Sequence, residues 1–127
     1  MEKRSMRTIL IVDDSAFSRS RIREYLQGGE YEVKEAESGM AALGMARESP
    51  PHCMILDLLM PGMTGLEVMA RMREEKIGVP VVVLTADIQN TTARRCRELG
   101  AAAVVNKPCS RERLAAALET ALWGRAV

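Results

Sequence analysis

The chain has 127 residues, 47% of them hydrophobic and 28% charged, with a formal net charge of +1. That length can bury one substantial core, and the composition is too apolar for a disordered chain. The balanced charge argues against a surface dominated by nucleic acid or acidic membrane, and 3% aromatic content leaves few platforms for stacking bases.

The opening MEKRSMRTILIVDD places basic residues before an apolar run, as an export signal does. Asp13 and Asp14 end that run after four residues, short of the roughly seven a signal needs. No stretch approaches the ~18 apolar residues of a membrane span, so a cytoplasmic protein is expected. ILIV predicts a strand near 8–12 and is followed by a helix near 15–27 with Ile22, Tyr25 and Leu26 on one face. YEVKEA alternates, as a half-exposed edge strand near 32–36 does, and a helix near 39–48 follows. CMIL forms a strand near 53–57 ending on Asp57, then a helix near 65–75 carries Leu66, Met69 and Met72 on one side. VVVL, a strand near 80–84, stops at Thr85 and leads to a helix near 88–99 with Cys96 and Leu99. AVVN, near 102–106, stops at Lys107, and Ser110 is placed to cap a last helix near 111–123 with Leu114, Leu118, Ala121 and Leu122. Gly28-Gly29, Gly78 and Gly100 fall just past helix ends, where left-handed caps are wanted.

Regular strand–helix alternation predicts an α/β protein with a doubly wound parallel sheet covered on both faces. The ILIV, MIL and VVVL runs are continuously apolar, as strands buried on both faces should be. The three cysteines, Cys53, Cys96 and Cys109, are odd in number, far apart and in no metal-ligand spacing. With a single histidine in the chain a zinc site is not expected, and the nine methionines read as core filler.

Open parallel sheets bind ligands outside the carboxyl ends of their strands. Four of these strands end on polar residues, which brings Asp13, Asp14, Asp57, Thr85 and Lys107 to one edge. Ionised carboxylates about 4 Å apart repel by roughly 4 kcal/mol per pair at an effective dielectric near 20. Such a cluster persists by sharing protons or binding a cation, and an oxygen-only donor set favours Mg²⁺ or Mn²⁺ over zinc. A hydroxyl and an ammonium beside it make room for an anion next to Asp57. Phosphoryl transfer uses this combination: an oxygen nucleophile, a metal and donors for the remaining phosphoryl oxygens.

The segments ILIVDDS, LDLLMPGMTGLE, VVVLTA and NKP together resemble the receiver domain of two-component response regulators, over essentially the whole chain. The resemblance implies a flavodoxin-like three-layer fold with five parallel strands in the order 2-1-3-4-5. It implies that Asp57 accepts a phosphoryl group from a histidine kinase or histidine phosphotransfer protein. Mg²⁺, or Mn²⁺, is then held by Asp14 directly, by Asp13 through water, by Asp57 and by the backbone carbonyl of Leu59. Lys107 pairs with the phosphoryl group, Thr85 moves to bond it, and the Lys107–Pro108 peptide is cis. Pro61-Gly62 forms the turn after the acceptor strand.

The sequence departs from the family where relatives carry a Tyr or Phe three residues before the lysine: here stands Val104. A valine has no large rotamer swing to report, so the loop Ala86–Asn90 and the fourth helix are expected to shift as a unit. Leu59 and Asp87, each two residues beyond the acceptor or the hydroxyl, flank the route of an attacking water and tune dephosphorylation in relatives. Ala86 is small and leaves the phosphoryl group accessible. Arg19, Arg21 and Arg23 line the first helix and Arg94, Arg95 and Arg97 the fourth, as solvated faces or docking surfaces. In relatives the first helix meets the phosphodonor, and the fourth-helix to fifth-helix face meets a downstream protein target or phosphatase.

The expected whole is a single receiver domain over 1–127 with no output domain, acting by protein contacts in chemotaxis or a phosphorelay, with no direct nucleic-acid or membrane partner. The alternative is a receiver fragment of a longer regulator with a separate output domain, and behind it a pseudo-receiver that works without phosphorylation. A haloacid-dehalogenase-type hydrolase needs an aspartate where Leu59 stands, and a nucleotide binder needs glycines where the first turn reads DDSAFS.

Overall fold

Five strands and five helices alternate through residues 6–124, the part of the chain that the computed structural model describes. They are β1 (Arg7–Val12), α1 (Ala16–Leu26), β2 (Tyr31–Ala36), α2 (Gly39–Glu48), β3 (Cys53–Leu56), α3 (Gly65–Glu74), β4 (Val81–Thr85), α4 (Asn90–Glu98), β5 (Ala103–Asn106) and α5 (Arg111–Trp123). All pairings are parallel, in the order β2-β1-β3-β4-β5. The expected doubly wound α/β fold is therefore the observed one.

Alternate residues of each strand feed two separate cores. Leu10, Val12, Met54, Leu56, Val81 and Val83 face α2, α3 and α4. Ile9, Ile11, Ile55, Val82, Leu84 and Val105 face α1 and α5. Each fully buried side chain of this size contributes about 1.5–3 kcal/mol, so the central strands are the best-anchored part of the chain. β2 lies at the sheet edge and is only partly buried, in keeping with its alternating sequence.

Helix starts are set by short polar side chains. Ser15, Ser38 and Ser110 each accept a backbone N–H three residues on, and Thr64 with Glu67 closes a reciprocal capping box. α4 is the exception, for the side chain of Gln89 at its N-cap makes no capping bond.

Helix ends correct the glycine expectation in part. Gly28 (φ 87°) and Gly100 (φ 95°) are left-handed, but the residue in that conformation after α3 is Lys76 (φ 58°), not Gly78. Lys76 N–H donates to Arg73 O and Ile77 N–H to Met72 O, a closed Schellman pattern two residues before the glycine arrives.

Candidate functional site

β1 and β3 end in register, Val12 beside Leu56, and Asp57 N–H donates to Val12 O at 3.0 Å. Asp13 and Asp57 therefore leave the sheet side by side. Asp13 is 1% exposed and Asp57 8%, whereas Asp14 turns outward to solvent. One carboxylate oxygen from each of the three lies within 4.8 Å of the others.

Lys107, arriving from the end of β5, sits over this group. Its Nζ donates to Asp13 Oδ2 at 2.8 Å, lies 3.6 Å from Asp57 Oδ2, and reaches Ser18 Oγ at 3.5 Å. Asp13 is held further: Ser15 N–H donates to its Oδ1 at 2.9 Å, and Arg19 Nη1 donates to its carbonyl at 2.6 Å. Asp57 Oδ1 accepts the Leu59 N–H at 3.2 Å. Two buried carboxylates thus share one ammonium, with the exposed Asp14 carboxylate close by, an arrangement that favours an added cation.

The electrostatics follow from this crowding. Burial pushes the Asp57 carboxyl above its ordinary range, with Asp13 adding to the rise and the Leu59 N–H and Lys107 opposing it. Burial works to lower the Lys107 ammonium, but the hydrogen bond to Asp13 and the charges of Asp57 and Asp13 hold it above its usual value. Lys107 therefore remains a cation at the site.

Thr85 ends β4, fully buried, and its Oγ1 accepts the Asp87 N–H at 3.2 Å. The Lys107–Pro108 peptide is cis. Beside Lys107 a groove of about 340 Å³ runs along α1, lined by Phe17, Ile22, Tyr25, Ala86, Pro108 and Cys109.

Residues 9–119 match the response regulator receiver domain. The chain belongs to that family. Transcriptional regulatory protein SrrA of Staphylococcus aureus is 37% identical over 102 residues, which are 80% of this chain and 42% of that protein. The chain thus spans less than half the length of this relative. Among solved structures, a LuxR-family two-component response regulator from Aurantimonas superposes with a TM-score of 0.88 at 28% identity, covering 95% of this chain and 88% of that one. Vibrio cholerae chemotaxis protein CheY4 superposes with a TM-score of 0.85 at 31% identity, covering 93% and 100%.

The remaining positions of this receiver domain keep their side chains out of the carboxylate cluster, although the Leu59 backbone N–H bonds to Asp57. Val104, on β5, is half-buried and packs into the core on the α4 side of the sheet. Leu59 is 59% exposed, and Ala86 and Pro108 are exposed. The Asp87 carboxylate is committed to its own loop: Oδ1 accepts the Gln89 N–H at 3.0 Å and Oδ2 the Thr92 hydroxyl at 2.8 Å. These bonds hold the Asp87 carboxyl below its ordinary range.

Two contributors give no clear sign in the sequence. Arg19 is no solvated arginine: it ties the Asp13 carbonyl to Glu35, to which its Nε donates at 2.8 Å. No spacing within α1 signals this, because both partners lie outside the helix, Asp13 just past β1 and Glu35 on β2. Gly65 opens α3 so close to the acceptor strand that a Cβ there would lie 2.5 Å from Asp57 O and 2.7 Å from Leu58 Cα. A glycine directly after the Thr64 cap was the available signal. Arg94, Arg95 and Arg97 of α4 are exposed, as expected of a solvated face.

Proposed function

We propose that this receiver domain is a phosphorylation-operated signalling switch with Asp57 as its acceptor. The observation that carries the reading is the Asp57 carboxylate at the open edge, with two further carboxylates and the Lys107 ammonium around it. A carboxylate oxygen of Asp57 attacks the phosphorus of a phosphohistidine on the donor. The new O–P bond forms as the P–N bond breaks, and the imidazole leaves with the electron pair and takes up a proton. Lys107, close to Asp57 before transfer, then pairs with the phosphoryl oxygens while Thr85 donates its hydroxyl to another. Asp13, Asp14 and Asp57, with the Leu59 carbonyl, would hold Mg²⁺, or Mn²⁺ in its place; this oxygen-only set fits a hard cation. When bound, the ion neutralises phosphoryl charge.

The donor is a histidine kinase or histidine phosphotransfer protein, which the apolar groove along α1 beside Lys107 suits as a docking surface. Output passes through the α4–α5 face to a protein target or phosphatase, without direct contact to nucleic acid or membrane, in the cytoplasm. Among the described residues no helix is long and apolar enough to cross a membrane. The likeness to a chemotaxis protein favours a domain that acts alone. The likeness to a transcriptional regulatory protein more than twice the matched length favours the second reading, a receiver feeding a separate output domain.

Incubation with Mg²⁺ and acetyl phosphate is expected to give a base-labile phosphoryl adduct that Asp57→Asn abolishes. Labelling that survives the substitution would overturn the assignment. Mg²⁺ at one hundred times its dissociation constant should stabilise the fold by about 2.7 kcal/mol. Asp14→Ala should remove that gain, read as the shift in thermal midpoint with and without the ion.

A further inference from the structure

We propose that Asp87 is the coupling residue that passes the position of the Thr85 hydroxyl to α4, in place of an aromatic reporter on β5. The proposal rests on the phosphoacceptor reading for the signal that moves Thr85, but the coupling itself is a property of the resting fold.

Asp87 has every polar group engaged, and to different elements. Its N–H donates to Thr85 Oγ1 at 3.2 Å, facing the site. Its carbonyl accepts from Asn106 Nδ2 at 3.4 Å, reaching β5. Its carboxylate takes the Gln89 N–H and the Thr92 hydroxyl, at the start of α4. Gln89, at the N-cap position itself, contributes no side-chain bond. The cap of α4 is thus borrowed from a residue three positions before the helix, and that residue is positioned by the hydroxyl at the end of β4.

Two further observations make the arrangement a relay. Asn106 pairs with Thr85 across the β4–β5 ladder, so Asp87 bridges the ends of both strands. Asn106 also lies two residues after Val104, on the α4 side of β5, the side Val104 faces. α4 itself is lightly anchored, with Cys96 its one buried residue. A change at its N-terminus is therefore not resisted by a deep apolar face.

The consequence is a two-position device. With Asp57 unmodified, Thr85 Oγ1 accepts from Asp87 and the α4 cap is in place. When the Thr85 side chain turns to donate to a phosphoryl group on Asp57, the Asp87 N–H loses its acceptor. The Ala86–Gln89 loop then rearranges, carrying the capping carboxylate with it.

Amide hydrogen exchange over residues 90–98, with α5 as internal reference, tests this in the full chain. Without any phosphodonor, Asp87→Ala and Thr85→Val should each speed exchange in α4 by about fivefold, the size of a lost cap, while α5 changes little. The double variant should be no faster than Asp87→Ala alone, because both substitutions break one chain of bonds. Thr92→Val should reproduce part of the Asp87→Ala effect. Additive single effects, equal acceleration of α4 and α5, or wild-type protection of α4 in Asp87→Ala would each overturn the proposal. With Mg²⁺ and acetyl phosphate, wild type should show faster exchange in α4 and Asp87→Ala no further change; a further change of wild-type size would overturn it. Absence of any adduct on Asp57 in wild type would sink the acceptor reading instead, and the donor-free cycle alone then decides whether the coupling stands.

Discussion

α4 and α5 both begin at the carboxyl edge of the sheet beside the candidate site, but on opposite faces and held in different ways. α5 inserts Leu114, Ala117, Leu118 and Ala121 into the core and is capped by its own Ser110, whose Oγ accepts the Arg113 N–H at 3.1 Å. α4 inserts Cys96 alone and depends on Asp87 for its cap. The neighbour of α5 on the same face, α1, is anchored in the same way: Ile22 and Leu26 are buried, and Arg19 and Arg23 both grip Glu35. One face of the sheet is thus a wall, and the α4 corner of the other is a part that can move at small cost. A switch needs both, since a shift at Thr85 is transmitted only if one side yields and the other does not.

The largest test of that difference is in the core. Leu118→Ala should cost about 2–5 kcal/mol in urea unfolding, as a fully buried leucine does, and Cys96→Ala no more than about 1 kcal/mol. Equal costs would break the distinction between the helices.

The C-terminal end of α4 offers a smaller, local test. Gly100 is left-handed with open space where a Cβ would point, so Gly100→Ala meets no clash and carries the conformational penalty alone. The expected loss is about 1 kcal/mol, seen as faster amide exchange in α4 with α5 unaltered. If α5 loosened equally, α4 would have to be treated as part of one cooperative unit with the wall.

The sequence made the wall legible and the moving part much less so. Continuous apolar runs are what parallel strands need when both faces are covered, so β1, β3 and β4 could be read with their ends, and the ends placed Asp13, Asp57 and Thr85 at one edge, with Lys107 joining them from the end of β5. The Ser110 cap was visible because it acts on its own helix. What stayed hidden depends on partners far away in sequence or on competing local choices. Lys107 takes Asp13, 94 residues away in sequence, as its nearer carboxylate, at 2.8 Å against 3.6 Å to Asp57. Arg19 serves Asp13, just past β1, and Glu35 on β2. Lys76 closes the end of α3 before Gly78 can, because the Schellman bonds fall where the last turn ends, whatever residue stands there. Asp87 reads in sequence as a residue flanking the route of an attacking water, and only its bonds to Gln89 and Thr92 tie it to the start of α4.

The smallest expected effect lies on the wall itself. The bond from Arg19, then that from Arg23, holds the Glu35 carboxyl below its ordinary range, against a slight opposing effect of burial. A carboxyl lowered in the folded state binds fewer protons there than in the unfolded chain. Its stabilisation is therefore complete above the ordinary carboxylate range and is lost as pH falls through the lowered value. Glu35→Gln should flatten that part of the acid limb while costing less than about 1 kcal/mol at neutral pH, because the pair is partly solvated. Urea midpoints of both proteins between about pH 5 and pH 3 measure the difference. Parallel curves would mean that Arg19 holds α1 through the Asp13 carbonyl alone, and that the wall is anchored at the site instead of at the sheet edge.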